Sequence, residues 1–121
     1  MKAVFDTNIV IDALNGNAEA DAEYGRYERV LISRITWIEV LVGAQGDDDV
    51  QLRDFLEAHF EIVPLDSAVA EAAVRLRRAH HLRLPDAVIW ATALANEAVL
   101  VTRNTKDFNP DWDAVRVPYK V

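Results

Sequence analysis

The chain contains no cysteine, which excludes disulfide bridges, thiolate zinc sites and cysteine nucleophiles, and favours a cytoplasmic location. It has only four glycines and four prolines in 121 residues, and the glycines are too scattered to form a Gly-rich phosphate-binding loop or a dinucleotide fingerprint. No apolar run reaches the roughly 20 residues that a membrane helix needs. Asp6 also comes too early for a signal peptide. We therefore expect no membrane association.

Basic residues are scarce as well, with 13 Lys and Arg against 20 Asp and Glu and a net charge of -7. This balance argues against a protein that holds nucleic acid through its overall charge. Six of the basic residues lie between Arg75 and Lys106, where a local rim could suit a polyanion. Arg75 and its neighbours equally fit the solvated face of a helix. His80 and His81 are adjacent, so they cannot both face one site and fit better at the surface.

Half of the residues are hydrophobic, and the length suits one domain over residues 1–121 that buries roughly two-thirds of its unfolded surface. Short apolar runs predict strands at residues 3–5, 30–33, 62–65, 99–102 and 115–117. Helical patterns occupy residues 8–14, 18–27 and 36–42, a segment opening at 47–49, a segment capped by Asp66 or Ser67, and residues 85–98. This alternation predicts an α/β fold in three layers, with a mainly parallel central sheet covered on both faces.

Four acidic residues follow apolar runs or begin helices, namely Asp6, Glu39, Asp86 and Asp107. Because parallel strands end at a common edge, we expect these carboxylates to converge there. Two like charges 4 Å apart cost roughly 4 kcal/mol at an effective dielectric of 20. Such a cluster implies raised pKa values or a divalent cation between the acids. Oxygen donors favour Mg²⁺ or Mn²⁺ over zinc, and such a cation suits phosphodiester chemistry.

Three of the four acids also have a structural interpretation. Asp6 could cap the helix that follows it, and Asp107 could be an ordinary turn residue. Glu39 could complete a capping box with Thr36. Asp86 is harder to explain this way, because it stands in the first turn of an apolar helix whose natural capping position is Leu84.

The segments that carry the four acids resemble the signature segments of PIN-domain ribonucleases, most closely the VapC-type toxins of type II toxin–antitoxin pairs. The segments are Val4-Phe5-Asp6-Thr7-Asn8, Ile35-Thr36-Trp37-Ile38-Glu39-Val40, Leu84-Pro85-Asp86-Ala87-Val88-Ile89-Trp90-Ala91-Thr92-Ala93 and Val101-Thr102-Arg103-Asn104-Thr105-Lys106-Asp107-Phe108. The resemblance spans nearly the whole chain. It implies a PIN-like α/β/α fold and a Mg²⁺- or Mn²⁺-dependent endoribonuclease that hydrolyses RNA through a metal-activated water.

The resemblance also implies roles for individual residues. Asp6 and Asp86 would be the core metal ligands, with Glu39 as the acid of the second segment. Many relatives have Asp where Asn104 stands, so either Asp107 reaches the site or Asn104 supplies a neutral ligand. Arg103 and Lys106 are candidate contacts to the phosphates of the substrate. Supporting polar groups would be Thr7, Asn8, Thr102 and Asn104.

The family further implies a VapB-type antitoxin as partner, a homodimer, and a heterotetramer or larger complex with the antitoxin. Exposed members of the set Trp37, Ile38, Leu41 and Trp112 could make such contacts, although core packing explains them equally. Two other functions stay open. One is a catalytically inactive PIN-like binding module, which the departure at Asn104 favours. The other is an aspartyl phosphoacceptor of the haloacid-dehalogenase or receiver type, which Asn8 weakens because that chemistry usually has a second acid there.

Overall fold

Five strands and six helices alternate along the part of the chain that the computed structural model describes, residues 1–44 and 48–120. The elements are β1 (Lys2–Phe5), α1 (Thr7–Leu14), α2 (Ala18–Tyr24), β2 (Arg29–Ser33), α3 (Arg34–Val42), α4 (Asp48–His59), β3 (Glu61–Val63), α5 (Ser67–His80), α6 (Leu84–Ala95), β4 (Val99–Val101) and β5 (Val115–Arg116). The strands form one sheet in the order β3-β2-β1-β4-β5, and every pairing is parallel. The predicted α/β fold with its parallel sheet is confirmed.

Strand β1 lies at the centre of the sheet. Val4 is in register with Leu31 of β2 on one side, and Phe5 with Val101 of β4 on the other. The chain builds outward from β1 through β2 and β3, then crosses to build β4 and β5 on the opposite side. In open parallel sheets the crevice at such a change of direction is where ligands bind, beyond the carboxyl ends of the strands. Asp6 is the first residue past that end of β1.

Helices cover both faces of the sheet, because successive strand side chains point to opposite sides. Val4, Leu31 and Leu100 pack in one core cluster with buried residues of α5 and α6. Phe5, Ile32 and Val101 pack in a second cluster, with side chains from α1, α2, α3 and α4. These two cores account for the three layers of the predicted architecture.

Helix α3 begins two residues earlier than the sequence pattern predicts. Ser33, the last residue of β2, is its N-cap and accepts a hydrogen bond from the backbone N–H of Ile35 at 3.1 Å. The predicted capping box of Thr36 and Glu39 is therefore wrong, since Glu39 lies well inside the helix. The Glu39 carboxylate does not cap α3 and can accept a hydrogen bond from another helix.

Other boundaries differ by a few residues. Helix α2 ends at Tyr24 and helix α6 at Ala95, both earlier than predicted, and β3 is three residues long. Asp66 caps α5 as predicted, accepting from the backbone N–H of Val69 at 3.0 Å. The predicted opening of α4 at Asp47 lies outside the described residues, and the described helix begins at Asp48.

Two of the side chains suggested as partner contacts, Trp112 and Ile38, differ in their surroundings. Trp112 stacks on Trp90 with ring centroids 4.8 Å apart and planes at 4°, so it belongs to the packing around α6. Ile38 is 45% exposed and remains available for contact. None of the described helices combines the length and the apolar character needed to cross a membrane.

Buried Glu23 links helix α2 to the edge strand β5. Its carboxylate accepts two hydrogen bonds from Arg116, at 2.7 and 3.1 Å, and one from the hydroxyl of Tyr27 at 2.7 Å. Only 3% of Glu23 is exposed. A buried carboxylate with three charge-assisted or hydroxyl donors is a strong local tie, and its loss leaves those donors without a partner.

We expect Glu23→Gln to lower the free energy of unfolding by roughly 1–3 kcal/mol, because the charged acceptor of the Arg116 and Tyr27 hydrogen bonds at this buried position would be lost. The matched control is Glu61→Gln, which breaks the pair with Arg29 (Nε to Oε2, 2.8 Å) at a half-exposed site. Water screens that pair, so the control should lose much less. Urea denaturation of both variants measures the difference, and equal losses would contradict the assignment of Glu23 as the main tie.

Candidate functional site

Asp6 sits between the first helix and strand β4, and its two oxygens have different partners. Oδ1 accepts from the backbone N–H of Thr7 at 2.7 Å, which caps α1. Oδ2 accepts from the hydroxyl of Thr102 at 2.7 Å and from the amide of Asn8 at 3.3 Å. The capping role and the placement at the sheet edge are thus compatible, since each uses a different oxygen.

The burial of Asp6 disfavours its charged form. Only 4% of the residue is exposed, and this desolvation raises the pKa of Asp6 above its ordinary value. The hydrogen bonds from Thr102 and Thr7 oppose the rise, while the negative charge of Glu39 adds to it. The site therefore holds a carboxylate that a nearby positive charge would stabilise.

Asp86 faces Asp6 from the first turn of α6 and is 5% exposed. Burial and the negative charge of Asp6 together raise the pKa of Asp86 to about 6, although the guanidinium of Arg83 acts in the opposite direction. The positive end of the α6 dipole lies beside Asp86 and favours its charged form. Two buried carboxylates thus repel each other across the crevice beside β1.

Glu39 reaches the same edge from α3. Its Oε1 accepts from the hydroxyl of Thr7 at 2.6 Å, and that hydroxyl lies 3.1 Å from the hydroxyl of Thr36. Glu39 itself is exposed to solvent. Because Thr7 directly follows Asp6 in the chain, its hydrogen bond to Glu39 brings Glu39 close to Asp6.

Asn104 and Asp107 form a small closed turn after β4. The Asn104 amide donates to Oδ2 of Asp107 at 2.9 Å, and the Asp107 backbone N–H donates to Oδ1 of Asn104 at 3.2 Å. The hydrogen bond from Asn104 and the charge of Arg83 lower the pKa of Asp107. Since both ends of the Asn104 side chain are engaged, Asn104 positions Asp107, and the carboxylate of this segment is the group that faces α6.

The four predicted acids lie along one edge, and neighbouring members affect one another's pKa, Glu39 acting on Asp6 and both Asp6 and Asp107 acting on Asp86. Within residues 1–44 and 48–120, however, no three Asp, Glu or His side chains are placed closely enough to hold one ion. The four predicted acids therefore lie near one another in pairs, and no three of the described ones meet around a single point.

Arg83 is the site residue that sequence reasoning missed. Its Nε lies 3.2 Å from Oδ2 of Asp86 and its terminal nitrogen 3.5 Å from Oδ2 of Asp107. The only signal in the sequence is a basic residue placed directly before Leu84-Pro85-Asp86. The Arg83 guanidinium thus forms ion pairs with both Asp86 and Asp107.

Arg103, predicted to contact phosphate, is engaged elsewhere. Its guanidinium donates two hydrogen bonds to Asp12 of α1, at 2.6 and 3.1 Å. The hydroxyl of Tyr119 donates to the same carboxylate at 2.7 Å. Arg103 therefore ties α1 to the loop after β4, whereas the other predicted phosphate contact, Lys106, is exposed.

An open groove of about 790 Å³ lies between helices α1, α3 and α4. Glu39 is the member of the four acids that lines it, and apolar side chains line much of the rest, among them Ile11, Leu14, Val40, Leu52 and Phe55. The groove therefore reaches the acidic site at Glu39.

Comparison with known proteins assigns this arrangement to a family. A PIN domain model matches residues 3–109. The chain belongs to the PIN-domain family. The PIN-like three-layer α/β/α fold with a parallel sheet, which the resemblance implied, is confirmed.

Solved structures and a curated protein extend the comparison. This PIN domain is similar to a chain in a toxin–antitoxin complex from Klebsiella pneumoniae, with 41% identity over 98% of this chain and 99% of that one and a TM-score of 0.88. It is also similar to a chain of FitAcB from Neisseria gonorrhoeae, with 26% identity over 98% and 99% of the two chains and a TM-score of 0.76. A ribonuclease VapC of Rickettsia bellii (strain RML369-C) is 26% identical over 99% of each chain.

The raised pKa of Asp86 has a consequence for stability in the presence of a chelator. A carboxyl whose folded pKa is about 6, against an ordinary value of 3.8, binds its proton more tightly in the folded state than in the unfolded state. The folded state therefore gains stability as the pH falls from 7.5 through 6, and loses it as the pH rises. Asp86→Asn should remove this dependence and raise the free energy of unfolding at pH 7.5 by roughly 1–3 kcal/mol.

Thermal melts between pH 5 and pH 8 in EDTA measure this effect. Asp54→Asn is the matched control, because it removes the same charge from an exposed position on α4 and should leave the pH dependence of the wild type unchanged. If Asp86→Asn were as pH-sensitive as the wild type, the burial of an unfavourable charge at this position would be wrong.

Proposed function

We propose that this chain is the toxin of a toxin–antitoxin pair and acts as a divalent-metal-dependent endoribonuclease on RNA. The observation that carries the proposal is the pair of buried, mutually repelling carboxylates of Asp6 and Asp86 at the change of direction in the sheet. The name of the Rickettsia bellii relative, a ribonuclease, supports the same activity. Because RNA is the substrate, we propose that the protein acts in the cytoplasm.

The donor set suits a hard divalent cation. PIN-domain ribonucleases generally use divalent metal ions. The acids here offer only oxygen ligands, and two of them are desolvated and destabilised by each other's charge, which favours Mg²⁺ or Mn²⁺. Asp6 and Asp86 would hold the ion, with Glu39 and Asp107 at its sides. When bound, such an ion lowers the pKa of a water and stabilises charge on the phosphoryl group that is attacked.

The surrounding residues fix the carboxylates in place. Thr102 and Asn8 orient Oδ2 of Asp6. The backbone N–H of Thr7 donates to Oδ1 of Asp6, and the Thr7 hydroxyl donates to Glu39. Asn104 orients Asp107 in the same way. Partners of this kind, which hold a ligand without touching the ion, commonly matter tenfold to a hundredfold for metal affinity or activity. Exposed Lys106 is left as a contact for the RNA backbone.

An inactive binding module is the second candidate, and one observation favours it. No three acidic or histidine side chains in the described ranges 1–44 and 48–120 are grouped tightly enough to hold one ion. In such a module the acids would bind a basic partner and no cleavage would occur. Activity of the purified protein separates the two proposals directly.

We expect the purified protein to cleave RNA oligonucleotides with Mn²⁺ and to lose this activity in EDTA. Asp86→Asn and Asp6→Asn should each lower the rate by at least about a hundredfold, because each removes a charge that stabilises the reacting phosphate through the ion. Asp113→Asn, an exposed aspartate in the loop before β5, is the matched control and should retain the wild-type rate. Cleavage that persists in EDTA, or in Asp86→Asn, would exclude this site as the source of activity.

We further propose that the antitoxin partner lies in the apolar groove between α1, α3 and α4 and reaches Glu39 at its end. Glu39, one of the four acids of the site, lines the groove, so an occupant would reach the edge of the site and could present a basic side chain to it. The similar structure from Klebsiella pneumoniae is a toxin–antitoxin complex, which supports a protein partner. A homodimer, and a heterotetramer or larger complex with the antitoxin, belong to the same proposal.

Ile11→Arg tests the groove, because Ile11 lines it and is 41% exposed, so the change should leave the fold intact. We expect at least about tenfold weaker binding of the antitoxin encoded beside this gene, since a charge would have to be desolvated in the interface. Leu94→Arg is the matched control, at a position 45% exposed near the amino-terminal edge of the sheet. Isothermal titration calorimetry measures both, and equal affinities for the two variants would exclude the groove.

A further inference from the structure

The position of Arg83 is unusual for a positive charge. Arg83 is the N-cap of α6, but its side chain makes no capping hydrogen bond to the helix. A helix N-terminus carries a partial positive charge, so a cation there is locally unfavourable. Something other than helix stability has to compensate for this cost.

The acids of the site supply that compensation. The Arg83 guanidinium contacts Asp86 at 3.2 Å and Asp107 at 3.5 Å. The charges of Asp86 and Asp107, and to a smaller extent Glu39, raise the pKa of Arg83. Two of the four acids of the site therefore contact this one guanidinium.

The Arg83 side chain is held only by long ionic contacts. This side chain is 72% exposed, and both of its ionic contacts are longer than those that hold Arg103 to Asp12, at 2.6 and 3.1 Å. Exposed ion pairs of this kind are weak, because water screens them and the long side chain loses freedom on pairing. Short contacts hold Arg103 to Asp12, whereas Arg83 is held to Asp86 and Asp107 only by longer ones.

We propose that Arg83 is the resident counter-ion of the acidic site, which a divalent cation displaces, and that the released guanidinium then binds a phosphate of the RNA backbone. This inference rests on the proposed metal-dependent ribonuclease function. Cation and guanidinium compete for the same oxygens of Asp86 and Asp107, so the two cannot hold them fully at once. Once displaced, a guanidinium at the rim of the site offers a fork of donors that matches phosphate oxygens. Arg83 is thus a positioning residue for the substrate and a competitor for the ion.

The first test measures Mn²⁺ affinity, by titration calorimetry and by the electron paramagnetic resonance signal of free Mn²⁺. Arg83→Gln should bind Mn²⁺ about three- to tenfold more tightly than the wild type, because the competing charge is gone. Arg78→Gln removes an equal charge from an exposed position on α5 and should change the affinity less than twofold. Arg83→Lys keeps the charge but not the fork, and should lie between the wild type and Arg83→Gln.

The second test separates KM from kcat in the cleavage of an RNA oligonucleotide at saturating Mn²⁺. Arg83→Gln should raise KM about three- to tenfold with little change in kcat, because the phosphate contact is lost while the acids remain. If Arg83→Gln and Arg78→Gln gave the same Mn²⁺ affinity and the same KM, the inference would be overturned while the proposed function stood. Failure of both the wild type and Arg83→Gln to bind Mn²⁺ would overturn the two together.

Discussion

The repulsion between two buried carboxylates is the constraint on which the rest of this molecule depends. Asp6 and Asp86 are each about 95% shielded from water, and the negative charge of Asp6 adds to burial in raising the pKa of Asp86. A fold does not accumulate such charges for its own stability, since isolated buried charges are expensive. The surrounding structure compensates in several ways: a helix cap and a threonine hydroxyl at Asp6, a helix N-terminus and an arginine at Asp86. Each compensation is partial, which leaves the site attractive to a stronger positive charge.

Much of this arrangement is readable from sequence, for a physical reason. A parallel sheet needs apolar runs separated by helices, and it brings the residues that follow those runs to one edge. Asp6 follows β1 directly, and Asp86 begins a helix whose next seven residues are all buried. Both placements follow from local patterns, so the fold and the two central acids could be predicted together.

The remaining details depend on contacts between residues far apart in the chain, which local patterns do not encode. The residue pattern favours Thr36 as the cap of α3, whereas Ser33 both ends the strand and caps the helix. The position of Arg103 in the fourth segment suggests a phosphate contact, but its guanidinium binds Asp12, which lies 91 residues earlier in the chain. A single arginine before a helix, such as Arg83, carries no signal until its neighbours in space are known.

The hydrogen bond from Tyr119 to Asp12 connects the segment after β5 to the acidic site. Tyr119 is 7% exposed, and through Asp12 it braces Arg103 and hence the loop that carries Asn104 and Asp107. The segment after β5 therefore helps to hold the loop that carries Asn104 and Asp107 in place. An affinity tag fused there would disturb this contact, whereas Met1, which is 77% exposed, lies at the opposite end of β1 from Asp6.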